Sequence, residues 1–290
     1  MSEASWTIGR LLTWTTDYLK QHKSDSPRLD AEVLLAHARG CPRIQLYANF
    51  EEVADDGLRA RFRELVKKRA EGMPVAYLVG KREFYSLDFK VTPDVLIPRP
   101  ETEHVVIAAL DFIKERSGGK TTVCDVGTGS GCIAVCIAKH AATAQVTAID
   151  ISPPALAVAR ENAAAHGVVE KIELIESDLF AALPAERKFD VIASNPPYIT
   201  AAEYAALPAG VRDYEPRQAL LAGDDGLEVI RQLLADASSR LHPDGMLLIE
   251  LSPMLAETAA ALASGEYGYA RVEILKDLAG QPRVLAARVE

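Results

Sequence analysis

The chain has 290 residues, 49% of them apolar and 25% charged, with a formal net charge of −9. That length suits one large α/β domain with a smaller companion, and no apolar run approaches the roughly 20 residues a bilayer crossing needs, which excludes a helical membrane protein. Acidity on this scale also argues against an affinity built on neutralising a phosphate backbone with Lys and Arg, so no nucleic-acid substrate is expected.

The opening stretch MSEASWTIGRLLTW carries an early acid and has no basic start, apolar core or small-residue cleavage site. It does not read as a secretion signal, and the cytoplasm is the expected location. Residues 1–75 read as helices only. Trp6, Leu11, Leu12, Tyr18 and Leu19 form one helical stripe, and Leu29, Val33 and Ala36 form a second. The second helix is punctuated by Ser26 as cap, Pro27 at the first helical position and Gly40 with Pro42 at its end. A third runs through Leu58, Phe62, Leu65 and Val66 and carries Arg59, Arg61, Arg63, Lys67, Lys68 and Arg69. This basic run reads first as a solvated face, with docking of an acidic partner or RNA as the alternative.

Residues 76–98 shift to Phe, Tyr, Val and Leu mixed with Gly and Asp, a hairpin or linker. Ile97-Pro98-Arg99-Pro100 must be extended, because a residue preceding proline is pushed out of the helical region. A helix then opens with Glu101, Thr102 and Glu103 and buries Val105, Val106, Ala109, Leu110 and Ile113. After Gly118-Gly119, strands are expected over 121–126, 145–150, 171–176, 189–194, 246–251, 270–276 and 284–289, alternating with helices. Residues 99–290 are therefore expected to form a doubly wound, mainly parallel seven-stranded sheet with ligands at the carboxyl ends of its strands. Cys41, Cys124, Cys132 and Cys136 lack the pairing of a zinc knuckle, and no metal site is read.

The strand Thr121–Val126 runs straight into Gly127-Thr128-Gly129-Ser130-Gly131. Glycine suits a backbone that turns sharply against a ligand. The next strand ends in Asp150, nineteen residues past Gly131, a distance suited to a carboxylate that grips a ribose diol. Where a dinucleotide fingerprint needs its last glycine the chain has Cys132, and no Gly-Lys-Ser/Thr follows as in a P-loop. Ser177-Asp178-Leu179 ends the third strand, where Asp178 can accept from an adenine amino group and Leu179 can pack on the ring; a turn cap is the plainer reading of Asp178.

The fourth strand ends in Asn195-Pro196-Pro197-Tyr198. Two prolines hold an extended path and leave their carbonyls without a local partner. The Asn195 side-chain carbonyl and the Pro196 backbone carbonyl can each accept one N–H from an amide or amine, turning its nitrogen toward an electrophilic methyl group. Tyr198 can pack on the flat amide, and the scheme asks for positioning rather than a strong base.

These residues together resemble the peptide chain release factor glutamine methyltransferases, the HemK or PrmC type. The resemblance spans Pro27–Glu32, Pro74–Leu78, Leu96–Glu103, Gly127–Gly131, Ser194–Tyr198, Tyr214–Pro216 with Ala219-Leu220, and Asp277–Gly280 with Arg283. It implies a class I methyltransferase domain of Rossmann-like fold behind a small all-helical domain that docks a class I release factor, and methylation of the glutamine in that factor's Gly-Gly-Gln motif. It further implies that Gly127, Thr128, Gly129, Ser130, Gly131 and Asp150 hold S-adenosyl-L-methionine, with Leu179 lining the adenine site. By the same resemblance Asn195, Pro196, Pro197 and Tyr198 receive the glutamine, and Glu101 and Glu103 lie near that pocket. One departure stands out: Ser252-Pro253-Met254-Leu255 replaces the Gly and Gln that many relatives carry after this strand. The alternatives are a ribosomal-protein glutamine methyltransferase, an adenine amino methyltransferase on nucleic acid, and a scaffold that kept the cofactor fold without catalysis.

Overall fold

A computed structural model describes residues 5–116 and 119–290, so the break expected at Gly118 lies outside the described residues. They form two compact units, one reaching to Lys81 and including Pro208–Tyr214, the other made of Arg82–Leu207 and Glu215–Glu290.

The first unit contains α1 (Ile8–Gln21), α2 (Pro27–Arg39), α3 (Arg43–Ala48), α4 (Asp56–Ala70) and α5 (Val75–Val79). Thr7 caps α1 by accepting from the Arg10 N–H, and Asp55 caps α4 through Leu58. Gly40, at φ 71°, closes α2 as its position predicts, whereas Ser26 makes no side-chain cap bond. The second expected stripe is only partly right: Ala36 is buried at 6% exposure, but its companions are not. Leu29 is 44% exposed and Val33 half-buried, while Ala31, Leu34 and Leu35 enter the core with Ile8, Leu12, Phe62 and Val66. The misreading has a physical cause: α2 also buries Asp30 and Glu32, acids that a hydrophobic pattern assigns to solvent. Asp30 accepts from Arg69 at 2.7 Å, and Glu32 from Arg28 and Arg43 at 2.7 and 2.6 Å and from the Tyr47 hydroxyl. The basic run is mostly a solvated face, with Arg61, Arg63, Lys67 and Lys68 exposed, although Arg69 reaches Asp30, Arg61 the Ala38 carbonyl and Arg59 Asp56.

A hairpin, β1 (Lys81–Phe84) and β2 (Leu87–Lys90), whose residues from Arg82 on belong to the second unit, precedes a 3-10 turn at Pro100–Thr102 and α6 (Glu103–Glu115). Then come β3 (Thr121–Val126), α7 (Cys132–His140), β4 (Ala144–Asp150), α8 (Pro153–Ala165), β5 (Ile172–Glu176) and β6 (Phe189–Ser194). After α9 (Ala201–Ala206) and the excursion that holds α10 (Ala209–Arg212), the unit resumes with α11 (Glu228–Arg240), β7 (Leu241–Glu250), α12 (Ala256–Ala261), β8 (Arg271–Lys276) and β9 (Pro282–Arg288).

Seven strands form one sheet in the order β5-β4-β3-β6-β7-β9-β8, parallel except for β9, which runs antiparallel between β7 and β8. Alternate residues serve opposite faces. Val123, Val146, Val191 and Leu248 pack with α6 and α7, and Cys124, Val126, Ile192 and Leu247 pack with α11. Each such fully buried aliphatic side chain contributes about 1.5–3 kcal/mol. The chain winds outward from β3 through β4 to β5, then crosses to β6 on the other side. That reversal opens a crevice at the carboxyl ends of β3 and β6, where α/β sheets bind their ligands. No helix is long and apolar enough to cross a membrane among the described residues.

Candidate active site

A cavity of about 330 Å³ occupies this crevice, with Gly127, Thr128, Gly129, Ser130, Asp150, Asp178, Leu179, Asn195, Pro196 and Pro197 among its lining residues. Segments separated widely in sequence meet there because β3, β4, β5 and β6 all end on the same side of the sheet. Gly131 and Tyr198, both expected at the site, are not part of the lining.

The glycine loop hangs from its neighbour strand, with the Gly127 and Thr128 N–H groups donating to the Ile149 carbonyl at 2.9 and 3.0 Å. Gly129 has φ 54°, and a Cβ there would meet nothing within 4 Å, so the residue keeps both a left-handed turn and an open face. Gly131 does something else. A Cβ at this position would sit 3.1 Å from the Ala159 Cβ, so its glycine lets α8 approach the loop. The Gly129 N–H donates to Asp150 Oδ2 at 2.8 Å and the Ser152 N–H to Oδ1 at 2.9 Å. Each oxygen retains a lone pair for a diol, while burial raises the carboxyl pKa above the ordinary value.

Beneath the loop lies Asp125, fully buried, which the sequence reading passed over. Its Oδ2 accepts from Thr128 Oγ1 at 2.6 Å and from the Ala134 N–H at 3.1 Å, and its Oδ1 has no partner. Burial pushes its pKa up to about 7. The signal was present as a lone acid in the otherwise apolar end of β3. Asp178 is exposed at the rim, and Leu179 holds φ 45°, a left-handed conformation that a non-glycine residue adopts only under constraint.

Asn195 follows β6 directly, where Ser194 pairs with Val126, and so stands beside the glycine loop. Its Nδ2 donates to Thr102 Oγ1 at 3.0 Å. Thr102 lines the cavity, but its neighbours Glu101 and Glu103 do not. Glu103 instead accepts the Tyr85 N–H at 2.8 Å and steadies a hairpin turn in which Tyr85 and Ser86 both have positive φ. Tyr198 packs against the core cluster that includes Phe180 and Leu227, where burial pushes its hydroxyl up to about 12. Local sequence could not show that the chain turns this ring toward the core.

The segment is extended over Ile97–Arg99, with Pro100 already in the 3-10 turn, and it is pinned by Glu215, which is 5% exposed and accepts from the Ile97 N–H at 3.2 Å and from Arg99 at 2.6 Å. Asp94, Val95, Leu96 and Pro98 before the pin, and Pro216, Gln218 and Ala219 after it, complete walls that motif reading did not supply. Ser252–Leu255 lies away from the cavity, with Met254 75% exposed. Burial raises the thiols of Cys124, Cys132 and Cys136, which disfavours the reactive thiolate, and Cys132 also lines the cavity. The cavity thus offers a carboxylate for a ribose diol, an open glycine face and an apolar residue at the rim, a set that fits an adenosine-bearing cofactor.

Comparison with known proteins finds two family models, the PrmC N-terminal domain over residues 10–80 and the methyltransferase small domain over 108–208. The chain is 53% identical over 287 residues to a release factor glutamine methyltransferase of Rhodopirellula baltica, covering 98% of this chain and 97% of the relative. A protein of the same name from Nitratidesulfovibrio vulgaris is 41% identical, with 97% and 95% covered. Among solved structures, the T. Thermophilus 16S rRNA N2 G1207 methyltransferase in complex with AdoMet and guanosine matches with a TM-score of 0.54 and 19% identity, over 72% of this chain and 50% of that one, a likeness of fold.

Proposed function

Because the chain belongs to the release factor glutamine methyltransferases, we propose that it methylates the side-chain amide nitrogen of the Gly-Gly-Gln glutamine of a class I release factor. The observation that carries this reading is the hydrogen bond from Asn195 Nδ2 to Thr102, which leaves the Asn195 carbonyl oxygen free to accept from a substrate NH₂ beside the cofactor cavity. S-adenosyl-L-methionine, when bound, supplies an electrophilic methyl group on a positively charged sulfur.

Asp150 would accept from the ribose hydroxyls, Leu179 would line the adenine, and Asp178 would be the acceptor for its amino group. Asn195 Oδ1 and the Pro196 carbonyl accept the two amide hydrogens, which directs the nitrogen lone pair at the methyl carbon. Pro197 keeps that carbonyl rigid. A delocalised amide lone pair is a weak nucleophile, so alignment and acceptors for the positive charge that would develop on nitrogen do most of the work; transfer would form the N–C bond as the S–C bond breaks, leaving the cofactor as its neutral thioether and releasing the amide proton to solvent. The helical unit supplies the docking surface for the factor, and the cytoplasm is where such a substrate is met. A net charge of −9 disfavours the nucleic-acid alternative.

The test is transfer from labelled S-adenosyl-L-methionine to a purified release factor, beside a factor whose Gly-Gly-Gln glutamine is replaced and beside the Asn195→Ala enzyme. Label on the native factor and loss in both controls is the expected result. Label that survives replacement of the glutamine refutes the site, and transfer to a ribosomal protein in preference to the factor refutes the substrate.

A further inference from the structure

Both tryptophans of the chain, Trp6 and Trp14, stand in one groove of the helical unit, a space of about 510 Å³ between α1, with the residues just before it, and α4. Its depth is apolar, because Leu11, Phe62 and Val66 in the lining are only 7%, 2% and 4% exposed. Trp14 is 51% exposed yet held in place, stacked on Tyr18 with ring centres 5.0 Å apart and meeting Trp6 edge-on at 6.3 Å. Aromatic side chains fixed in this way lose little freedom on binding, which suits them to anchor a protein interface. The α4 side is basic. Arg59, Arg63 and Lys67 recur every four residues and so share one face of the helix, and no Asp or Glu joins the lining, in a chain whose net charge is −9. Arg59 pairs with Asp56, whereas among the described residues Arg63 and Lys67 have no side-chain partner. The neighbouring threonines of α1 add a second sign of an absent occupant. Thr13 and Thr16 donate their hydroxyls to the Gly9 and Leu12 carbonyls at 3.1 and 2.7 Å, but Thr15, 1% exposed and in the groove lining, leaves Oγ1 without a partner. A buried hydroxyl in that state costs about 1–3 kcal/mol, which a bound partner can recover.

We infer that this groove is where the helical unit grips the release factor: a large apolar side chain of the factor enters over Leu11, Phe62 and Val66, and acidic residues flanking it pair with Arg63 and Lys67, with the Thr15 hydroxyl as donor to the backbone of the same segment. This rests on the proposed reaction, whose substrate is that factor, and adds the place and chemistry of its capture. Single-stranded RNA also seeks aromatic and basic side chains, but it stacks bases on open ring faces. Here the buried depth is built for an apolar side chain, and the net charge of the whole chain repels a polyanion. A second copy of the chain, docked groove to groove across a two-fold axis, would set these basic residues against one another.

The two tryptophans make the groove observable. Enzyme carrying 5-fluorotryptophan gives two fluorine resonances, both from this groove, and Trp14→Phe assigns them. Titration with a factor whose Gly-Gly-Gln glutamine is replaced reads binding without turnover. Both resonances are expected to move as the factor is added, and to move far less in the double variant Arg63→Glu, Lys67→Glu. In methyl transfer to the native factor, that variant is expected to raise KM about tenfold or more while kcat stays within about twofold. Lys68→Glu makes the same change of charge just outside the lining and is expected to keep the parental KM. A double variant with parental KM, or resonances that stay still while the factor saturates the enzyme, overturns the proposal. So do resonances that move with enzyme concentration alone, as a second copy in the groove would cause, or with an RNA oligonucleotide and not with the factor. Resonances that move without label transfer uphold the groove and count against the reaction; label transfer with still resonances does the reverse.

Discussion

Gly129 and Gly131 stand two positions apart and do different work. Gly131→Ala combines φ 79° with a 3.1 Å approach to Ala159 and is expected to cost about 1–3 kcal/mol of stability, read by chemical denaturation without cofactor. Gly129→Ala has φ 54° and no neighbour within 4 Å, so it is expected to cost about 1 kcal/mol while lowering cofactor affinity about tenfold, read by calorimetry. Equal effects on stability would refute this division. Asp125 carries a pH prediction. Its folded-state pKa of about 7 lies above the unfolded value of about 3.9, so the native state holds the additional proton. Its contribution is fully present below about pH 4 and is lost as pH rises through about 7. Asp125→Asn should flatten the fall in Tm across that window, and an unchanged slope would show that another group is responsible. At this scale Asn195 was legible because its two proline neighbours announce it locally. Thr102 was not, because its partner lies 93 positions away in sequence.

Among elements, legibility followed the period of the apolar residues. β3 and β6 keep the bounds their apolar runs predict, and both are buried on two faces. The face of α2 was misread at Leu29 and Val33, though not at Ala36, because Asp30 and Glu32 are buried in ion pairs, which no apolar period encodes. The extended Ile97–Arg99 segment was legible from its prolines, but its anchor was not. Glu215→Ala leaves the Ile97 N–H and Arg99 without their acceptor. With Arg99 itself about a third exposed, the loss is expected to be roughly 3 kcal/mol. Glu215→Gln keeps an acceptor for Ile97 and should lose less than half as much, and thermal unfolding of the two variants orders them. An alanine variant as stable as the glutamine one would remove Glu215 as the anchor.

At the scale of the molecule, every residue lining the cofactor cavity belongs to the second unit. A chain of residues 82–290 is therefore expected to bind cofactor with near-parental affinity but to methylate the release factor poorly, an outcome that calorimetry and label transfer separate. Retained transfer would deny the helical unit its docking role. The sequence by itself determined the alternation of strand and helix, the glycine loop and Asn-Pro-Pro-Tyr, because each depends on neighbours a few positions apart. Only the tertiary structure decided the insertion of β9 between β7 and β8, the membership of Pro208–Tyr214 in the helical unit, and the meeting of Thr102 with Asn195. Those features depend on which distant segments share a buried space, where each buried polar group must find its partner, and one-dimensional spacing carries no record of that pairing.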